Sequence, residues 1–196
     1  MPERIRLDMP KIVAIKEDWI KLGYKLFSES GETGLNVDKM SRILSCNKSS
    51  FYWHFKTKAE FIDCLVEYWV NIDTSHIITE TNQQSTAKDK ILKLIEIVFK
   101  KDSNLDFIFY LKRYSRDKKK IQNLIDKIDC ERIDFMSFLL EEIGYNSETA
   151  KTKSLLFYKY LIGYHEMIRY KKQNRDYLQK VISEVNHFIK LKTEDE

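Results

Sequence analysis

Residues 46–61, CNKSSFYWHFKTKAEF, bring together the side chains of this chain that are best suited to binding chemistry. Four aromatic residues and a histidine fill positions 51–55, and serines and lysines flank them. Hydroxyl, indole, imidazole and amine groups donate hydrogen bonds, which phosphate oxygens and base edges accept. A buried strand would not need the lysines, and a solvated face would not carry so many aromatic rings. The pattern therefore predicts a short element with one apolar side and one polar side that makes contacts.

The residues around this stretch predict short helices that are capped by side chains. Asn36 is predicted to cap one helix, and Asn47, after the turn at 45–47, is predicted to cap the next one. Thr57 and Glu60 have the T-x-x-E spacing of a capping box, which begins a further helix. Two short helices joined by a tight turn form a helix-turn-helix, whose second helix lies in the major groove of DNA.

The aromatic cluster fits the second helix of such a motif. Phe51 and Phe55 are four residues apart and share one face of a helix. We expect them to pack inward against Met40, Ile43 and Phe61. Other faces of the same helix carry Lys48, Ser49 and Tyr52. Packing of the aromatic side would stabilise a helix that is too short to be stable alone.

On these residues, positions 12–70 resemble the DNA-binding domain of the TetR family of transcriptional repressors. The resemblance is carried by Gly34, by residues 36–44 and by NKSSFYWHFKTKAEF. The family's pattern at this point is a helix that ends in Tyr-x-His-Phe, followed by a lysine that begins the next helix. The positions that fit this pattern are Tyr52, His54, Phe55, Lys58 and Glu60. The chain departs from the family in the turn, where Ser45 and Cys46 replace a glycine and a small aliphatic residue.

The resemblance implies DNA contacts from the helix at 48–54 and its neighbours. Lys48 is the candidate for reading a base, since a lysine can donate to guanine O6 and N7. The candidates for contacts with base edges or sugars are Ser49 and Trp53. The candidates for phosphate contacts are Ser50, Tyr52, His54 and Lys58. On the preceding helix, Lys39 and Arg42 either reach the DNA backbone or are simply solvated.

The charge of the chain supports DNA binding only locally. Residues 36–58 hold five basic residues and one acidic residue, whereas residues 1–70 hold eleven basic and ten acidic residues. A single copy would therefore make few phosphate contacts, and two copies are needed for useful affinity.

The whole chain is predicted to be all-α, because 196 residues contain only two prolines and five glycines. A helix from Ile12 is predicted to end at Gly31, another to end at Gly144, and Ser147 to cap its successor. Beyond the head, helices are predicted at 88–101, 104–115, 118–143, 147–170 and 174–191. The polar stretch 79–90 is the clearest break in the apolar pattern. We predict a flexible arm at 1–11, a three-helix helix-turn-helix head at 12–72, and a C-terminal helical domain for ligand binding and dimerisation at 73–196.

The last two helices are candidates for a subunit interface. Residues 147–170 are apolar nearly all round, which predicts burial on two sides. The final helix has an apolar stripe at Leu178, Val181, Ile182, Val185, Phe188 and Ile189. The resemblance likewise implies a homodimer through these two helices; the alternative is two ordinary core helices. A two-fold dimer would present its recognition helices about one DNA turn apart, roughly 34–36 Å, on a pseudo-palindromic site.

The resemblance also implies a pocket for a small-molecule effector between the helices at 88–143. These helices carry Phe99, Phe107, Phe109, Tyr110, Tyr114, Phe135 and Phe138, which either line such a pocket or form plain core. The sequence identifies neither the lining nor the effector. If an effector binds, it would favour a conformation in which the helix from Thr57 moves the two heads to a spacing that no longer fits DNA.

Other classes of protein find little support in the sequence. GxGxxG, P-loop, HExxH and GxSxG motifs are absent, and no Cys–His–carboxylate cluster is evident, so we expect neither an enzyme, a cofactor nor a metal. Three cysteines without a CxxC pair suggest a reducing compartment. With no apolar run near 20 residues and no signal peptide, we expect a cytoplasmic protein that does not enter a membrane. The expected partners are double-stranded DNA, a second copy and an effector; the alternative is a helical protein-interaction module without DNA binding.

Overall fold

The computed structural model describes residues 14–72, 74–100, 105–168 and 174–191, and the arm predicted at 1–11 lies outside them. Ten α-helices occupy this part of the chain, which contains no strand, so the predicted all-α fold is confirmed. In chain order they are α1 (Lys16–Ser30), α2 (Val37–Ile43), α3 (Ser49–His54), α4 (Lys58–Ile72), α5 (Thr74–Thr81), α6 (Ala87–Val98), α7 (Leu105–Tyr114), α8 (Lys119–Glu142), α9 (Ser147–Ile168) and α10 (Tyr177–Asn186). A 3-10 turn, Gly31–Gly34, follows α1. The chain divides into two compact units, Met1–Trp69 and Val70–Glu196.

Side-chain oxygens cap the N-terminal ends of α2, α3 and α4 in the first unit. Asn36 Oδ1 accepts a hydrogen bond from the Lys39 amide at 2.9 Å, as predicted. Asn47 Oδ1 accepts one from the Ser49 amide, also at 2.9 Å, at the start of α3. The predicted start of α1 at Ile12 is too early, because Ile15 is extended and its amide donates to the Asp18 carboxylate. This bond fixes the first turn of the helix at Lys16.

The predicted capping box at the start of α4 forms, but one of its two hydrogen bonds is shifted by one residue. Thr57 Oγ1 accepts a hydrogen bond from the Glu60 amide at 3.1 Å, as its spacing predicts. The Glu60 carboxylate accepts from the Lys56 amide at 3.0 Å rather than from that of Thr57. Both bonds satisfy amides that the helix itself leaves without partners.

An aromatic core joins the helices of the first unit. Phe51 packs edge-on against Trp19, with ring centroids 5.3 Å apart, and against Phe61, at 5.0 Å. Phe55 lies 4.7 Å from the same Phe61 ring. Gly23 of α1 allows α4 to approach closely, since a Cβ atom there would lie 2.3 Å from Phe61 Cζ. The rings of Phe51 and Phe55 are therefore enclosed between α1 and α4.

The turn between α2 and α3 keeps a left-handed residue where the chain has no glycine. Ser45 has φ of 53°, the one positive φ among the non-glycine residues described. The amides of Ser45 and Cys46 donate to the carbonyls of Arg42 and Ser41. Ser45 thus adopts the left-handed conformation although it is not a glycine.

In the second unit, α8 packs against α9 and α6 around a core of fully buried residues. These include Ile91, Ile95, Phe99, Phe107, Leu139 and Leu140. Gly144, with φ of 100°, follows the end of α8 as predicted. The predicted cap at Ser147 is wrong: Asn146 caps α9 by accepting from the Thr149 amide at 2.9 Å. An amide oxygen three residues before the Thr149 amide is in the ordinary position of an N-cap.

None of the helices in the described ranges is long and apolar enough to cross a membrane.

Candidate nucleic-acid interface

Helix α3 has a buried side and an exposed side, as its sequence predicts. Phe51 and Phe55 are 1% and 0% exposed, which confirms their inward placement. On the opposite side, Tyr52 is 58% exposed and Trp53 is 80% exposed. Lys48 and Ser49 are also exposed. The start and the exposed side of the helix therefore offer an amine, a hydroxyl, a phenol and an indole to solvent.

Ile43 does not take the buried position that was expected beside the two phenylalanines. Ile43 is 52% exposed, whereas Met40 and Ser41 of the same helix are buried. The side of α2 that faces the core is thus centred between positions 40 and 41. At 3.6 residues per turn, Ile43 lies about 110° around the helix axis from that direction. The position is at the edge of the head rather than in its core.

Lys48 forms an ion pair that the sequence did not reveal. Its Nζ lies 3.3 Å from an Asp38 carboxylate oxygen, and the two side chains are 62% and 63% exposed. An ion pair this exposed contributes about 0–1 kcal/mol. It therefore orients the amine across the turn while leaving it accessible to phosphates or bases. The nine residues between the partners gave no signal that could have predicted the pair.

Two predicted phosphate contacts, Ser50 and His54, make internal hydrogen bonds. Ser50 Oγ donates to the Ala14 carbonyl at 3.2 Å and accepts from Trp19 Nε1 at 3.4 Å. His54 Nε2 lies 3.0 Å from the same carbonyl, to which it donates when protonated at that nitrogen. These bonds fix α3 to the residues just before α1, a role that pattern reasoning missed.

The remaining candidates lie around the edge of this surface. Lys58 Nζ donates to the Glu32 carbonyl at 3.1 Å and lies 3.7 Å from that residue's carboxylate. Lys39 and Arg42 are exposed on α2. The structure therefore brings Lys48, Ser49, Tyr52 and Trp53 onto one exposed helix surface, with Lys58 engaged at the 3-10 turn.

The second unit contains a cavity of about 300 Å³ between α5, α6, α8 and α9. Its wall is mostly apolar and includes Leu94, Ile97, Phe135, Met136, Phe157 and Leu161. Of the aromatic residues singled out in the sequence, Phe135 lines this cavity, whereas Phe99 and Phe107 are fully buried core and Phe138 is 54% exposed. Phe157, on α9, is a lining residue that lay outside the range expected to form the pocket.

A polar network enters the cavity wall at Arg132. Its Nε donates to Thr74 Oγ1 at 3.1 Å, and one terminal nitrogen lies 3.5 Å from the Tyr158 hydroxyl. That hydroxyl donates to Asp129 at 2.6 Å, and Lys112 Nζ lies 2.6 Å from the other Asp129 oxygen. Burial raises the pKa of Tyr158 above its ordinary value, so its hydroxyl stays protonated.

The apolar residues of the last two helices are divided between core and surface. On α10 and just beyond it, Val181, Val185 and Ile189 are fully buried within the unit. On α9, Leu155, Leu156 and Met167 are 40–66% exposed. Gly163 is open as well, since nothing lies within 4 Å of a Cβ placed there. Leu156, Gly163 and Met167 are seven and four residues apart, which places them along one side of the helix.

In the described ranges, no three histidine, cysteine or acidic side chains are grouped so that they could hold a metal ion.

Comparison with known proteins found similarities in sequence and in fold. No family model matches the chain. The tetracycline repressor protein class C of Escherichia coli is 30% identical over 61 residues, which are 31% of this chain and 28% of that repressor's length. A TetR transcriptional regulator from Legionella pneumophila has a TM-score of 0.70 at 17% identity, with 90% of this chain and 96% of that chain covered.

The regulator AibR, solved in complex with isovaleryl coenzyme A and operator DNA, has a TM-score of 0.67 at 11% identity. The superposition covers 88% of this chain and 97% of that one. These likenesses extend over both units, whereas the sequence match to the tetracycline repressor covers about a third of the chain. The resemblance seen in the sequence is confirmed at the level of the fold: the chain has the all-α fold of the TetR/AcrR transcriptional regulators.

Proposed function

We propose that this chain is a TetR-like transcriptional regulator that binds double-stranded DNA through α3. The observation that carries the proposal is the division of α3 into a buried aromatic side and an exposed side with Lys48, Ser49, Tyr52 and Trp53. In a helix-turn-helix, the second helix places its N-terminal residues at base edges in the major groove. The operator DNA bound by AibR, which shares the fold, supports the same use of the head.

Within this proposal, the exposed residues take different roles. Lys48 reads a base, and Ser49 and Trp53 contact base edges or sugars. Tyr52, Lys58, Lys39 and Arg42 contact phosphates, which position the helix without reading sequence. Ser50 and His54 act mainly by fixing α3 against Ala14, and a phosphate contact by either would have to coexist with these bonds.

The proposal includes a homodimer on a pseudo-palindromic operator. The exposed side of α9 with Leu156, Gly163 and Met167 is the proposed centre of the interface, because apolar side chains in such a row favour contact with another helix. α10 would add its half-buried Leu178 and Ile182, since Val181 and Val185 are already used in the core. Two copies double the number of phosphate contacts that each head can make alone.

The regulator is proposed to act in the cytoplasm as a repressor that a small-molecule effector releases from DNA. The cavity between α5, α6, α8 and α9 is the proposed effector site. The effector would release DNA only by binding the non-binding conformation more tightly than the DNA-binding one. α4 leads from the head to Ile72, which lines the cavity, so it is the element through which the effector would act.

Selection of bound sites from random double-stranded DNA tests the proposal. We expect enrichment of two inverted half-sites whose centres are about one helical turn, or a multiple of it, apart. Affinity for the enriched site should fall steeply as salt rises, because phosphate contacts release counterions. No enrichment, together with binding that salt does not change, would favour the alternative, a helical module that binds protein through its exposed aromatic side chains.

A further inference from the structure

The cavity of the second unit is lined mainly by hydrocarbon. Leu94 and Ile97 of α6 contribute to its wall, as do Phe157 and Leu161 of α9. Its volume of about 300 Å³ equals that of about ten water molecules at ~30 Å³ each. A hydrocarbon ligand would remove this apolar surface from water, which favours its binding. The cavity therefore suits a mostly apolar ligand of about ten non-hydrogen atoms.

Two hydroxyl groups in the wall already form internal hydrogen bonds. Ser154 Oγ donates to the Ala150 carbonyl at 2.8 Å, and Thr74 Oγ1 accepts from Arg132 Nε at 3.1 Å. Because a hydroxyl both donates and accepts, Ser154 can still accept one hydrogen bond and Thr74 can still donate one. This capacity suits a single neutral group on the ligand, such as a hydroxyl or a carbonyl.

The positive charge of Arg132 is held in a network between helices. Its Nε donates to Thr74, and one terminal nitrogen lies 3.5 Å from the Tyr158 hydroxyl. Arg132 has a further interaction besides these two. The Tyr158 hydroxyl in turn donates to Asp129, which pairs with Lys112 at 2.6 Å. An anionic ligand would have to displace contacts within this network before it could use the guanidinium.

Glu80, the acidic residue among the lining side chains, also has partners of its own. Its carboxylate lies 3.2 Å from Lys93 and 3.7 Å from His76. Lys93 is shared with Glu96, at 3.3 Å, so Glu80 is the group in the wall to which a cation would be drawn most strongly. The same wall carries the guanidinium of Arg132, which opposes a cation.

An ion of either sign therefore gains little from this wall. Both signs of charge are present, so any ion meets a group of its own sign. Lys100, which also lines the cavity, is exposed, and its ammonium group remains hydrated. Transfer of an ion from water to a mostly apolar site is costly unless new partners replace its hydration. A neutral ligand avoids this cost and leaves the internal bonds intact.

We propose that the cavity binds a neutral molecule that is mostly hydrocarbon, has about ten non-hydrogen atoms and carries a hydroxyl or carbonyl group. Only the biological role of this binding, as release of DNA, rests on the function proposed above. The binding itself belongs to the second unit and can be measured without DNA.

Calorimetry with three probes of equal chain length tests the chemical class. Near neutral pH, octanol is uncharged, octanoate is an anion and octylamine is a cation, and each has about ten non-hydrogen atoms. We expect octanol to bind to the purified full chain at least roughly tenfold more tightly than either ion, because the wall does not replace the hydration that an ion loses. An ion that binds as tightly as octanol, or no binding of octanol at millimolar concentration, would overturn the proposal.

Matched variants on α9 test the location of the ligand. Leu161→Phe fills part of the cavity and should weaken octanol binding roughly tenfold, since a close-packed interior leaves no room for a ligand. Leu155→Phe is the control, because it makes the same change at a side chain that is 40% exposed and does not line the cavity. Equal octanol binding by both variants and the wild type would place the ligand elsewhere and overturn the proposal.

Thermal unfolding without ligand shows whether each variant folds. If Leu161→Phe does not fold, Ile97→Phe fills the cavity from α6 instead, at a half-buried position that tolerates added volume better. The same loss of octanol binding is expected, with the same control.

A second measurement separates this proposal from the proposed function. Octanol is added to the chain bound to its selected DNA site, with octanoate as the control. Preferential binding of octanol by a chain that binds no DNA would leave the cavity proposal standing and remove the regulator. DNA binding by a chain whose cavity takes no octanol would do the reverse.

Discussion

At the residue scale, the ion pair between Lys48 and Asp38 would have to open for Lys48 to contact DNA as proposed. The ion pair is exposed on both sides and thus weak, so a guanine or a phosphate can replace the carboxylate at little cost. The carboxylate limits the positive charge that the free head presents to DNA of any sequence. If Lys48 exchanges Asp38 for a base edge, it gains hydrogen bonds only at the correct sequence. The exchange would therefore raise affinity for the correct site more than affinity for random DNA.

Lys48→Ala should weaken binding to the selected site by about 1–3 kcal/mol and relax the sequence preference at one base pair. Fluorescence anisotropy with the selected site and with random DNA measures both effects. Lys39→Ala is the control, since an exposed lysine on α2 should weaken both kinds of DNA equally or not at all. If Lys48→Ala lowers affinity for random DNA by the same factor, Lys48 does not read a base.

Ser45 carries a conformational cost that a glycine would remove. A left-handed backbone costs a residue with a Cβ atom about 1–2 kcal/mol, and glycine gives back part of this gain through the greater freedom of its unfolded chain. Ser45→Gly should therefore raise the unfolding free energy of the head by up to about 1 kcal/mol. Ser45→Ala keeps the cost and should change little.

Urea unfolding followed by tryptophan fluorescence measures this effect in the head alone, since Trp19, Trp53 and Trp69 all lie in the Met1–Trp69 unit. A less stable Ser45→Gly variant would mean that the serine side chain contributes more than its backbone costs.

At the element scale, α3 shows which parts of the head its sequence could predict. Six residues are too few for a stable isolated helix, yet the caps at Asn36 and Asn47 and the four-residue spacing of Phe51 and Phe55 were sufficient to place it. Contacts between residues distant in the chain could not be predicted from the sequence. The bonds of Ser50 and His54 to Ala14 span 36 and 40 residues, and no local pattern encodes them.

The same limits apply in the second unit. Helix positions followed from apolar periodicity, whereas the cavity and the Arg132 network depend on how four helices meet. Helix ends were predictable only within a few residues: the cap of α9 is Asn146, one residue before the serine that the pattern favoured.

The two sides of α3 should respond differently to truncation. Phe51→Ala should lower the unfolding free energy of the head by about 3–5 kcal/mol, because it leaves a cavity among Trp19, Phe55 and Phe61. Trp53→Ala, on the exposed side, should change it by about 0.5 kcal/mol or less. Urea unfolding followed by the remaining tryptophans compares them. A Phe51→Ala head as stable as the wild type would contradict the inward packing.

At the scale of the whole molecule, DNA affinity should depend on the association of two copies through α9. Leu156→Glu places a charge among exposed apolar residues and should convert a dimer into monomers, since burying the carboxylate without a partner is costly. The affinity for a palindromic site should fall with it. Lys151→Glu is the control, because Lys151 is exposed on the same helix about 140° away from Leu156.

Sedimentation velocity gives the oligomeric state of both variants, and anisotropy gives their DNA affinity. A dimeric Leu156→Glu variant with unchanged affinity would exclude this side of α9 as the interface.

The separation of exposed and buried residues on α3 affects how the DNA specificity of such a protein would change in evolution. Lys48, Ser49 and Trp53 project away from the aromatic core, while Phe51 and Phe55 complete it. Substitutions at the outward positions can thus accumulate without threatening the stability of the scaffold. Duplicated copies of the gene could acquire new target sites through a handful of codon changes, while their architecture stayed intact.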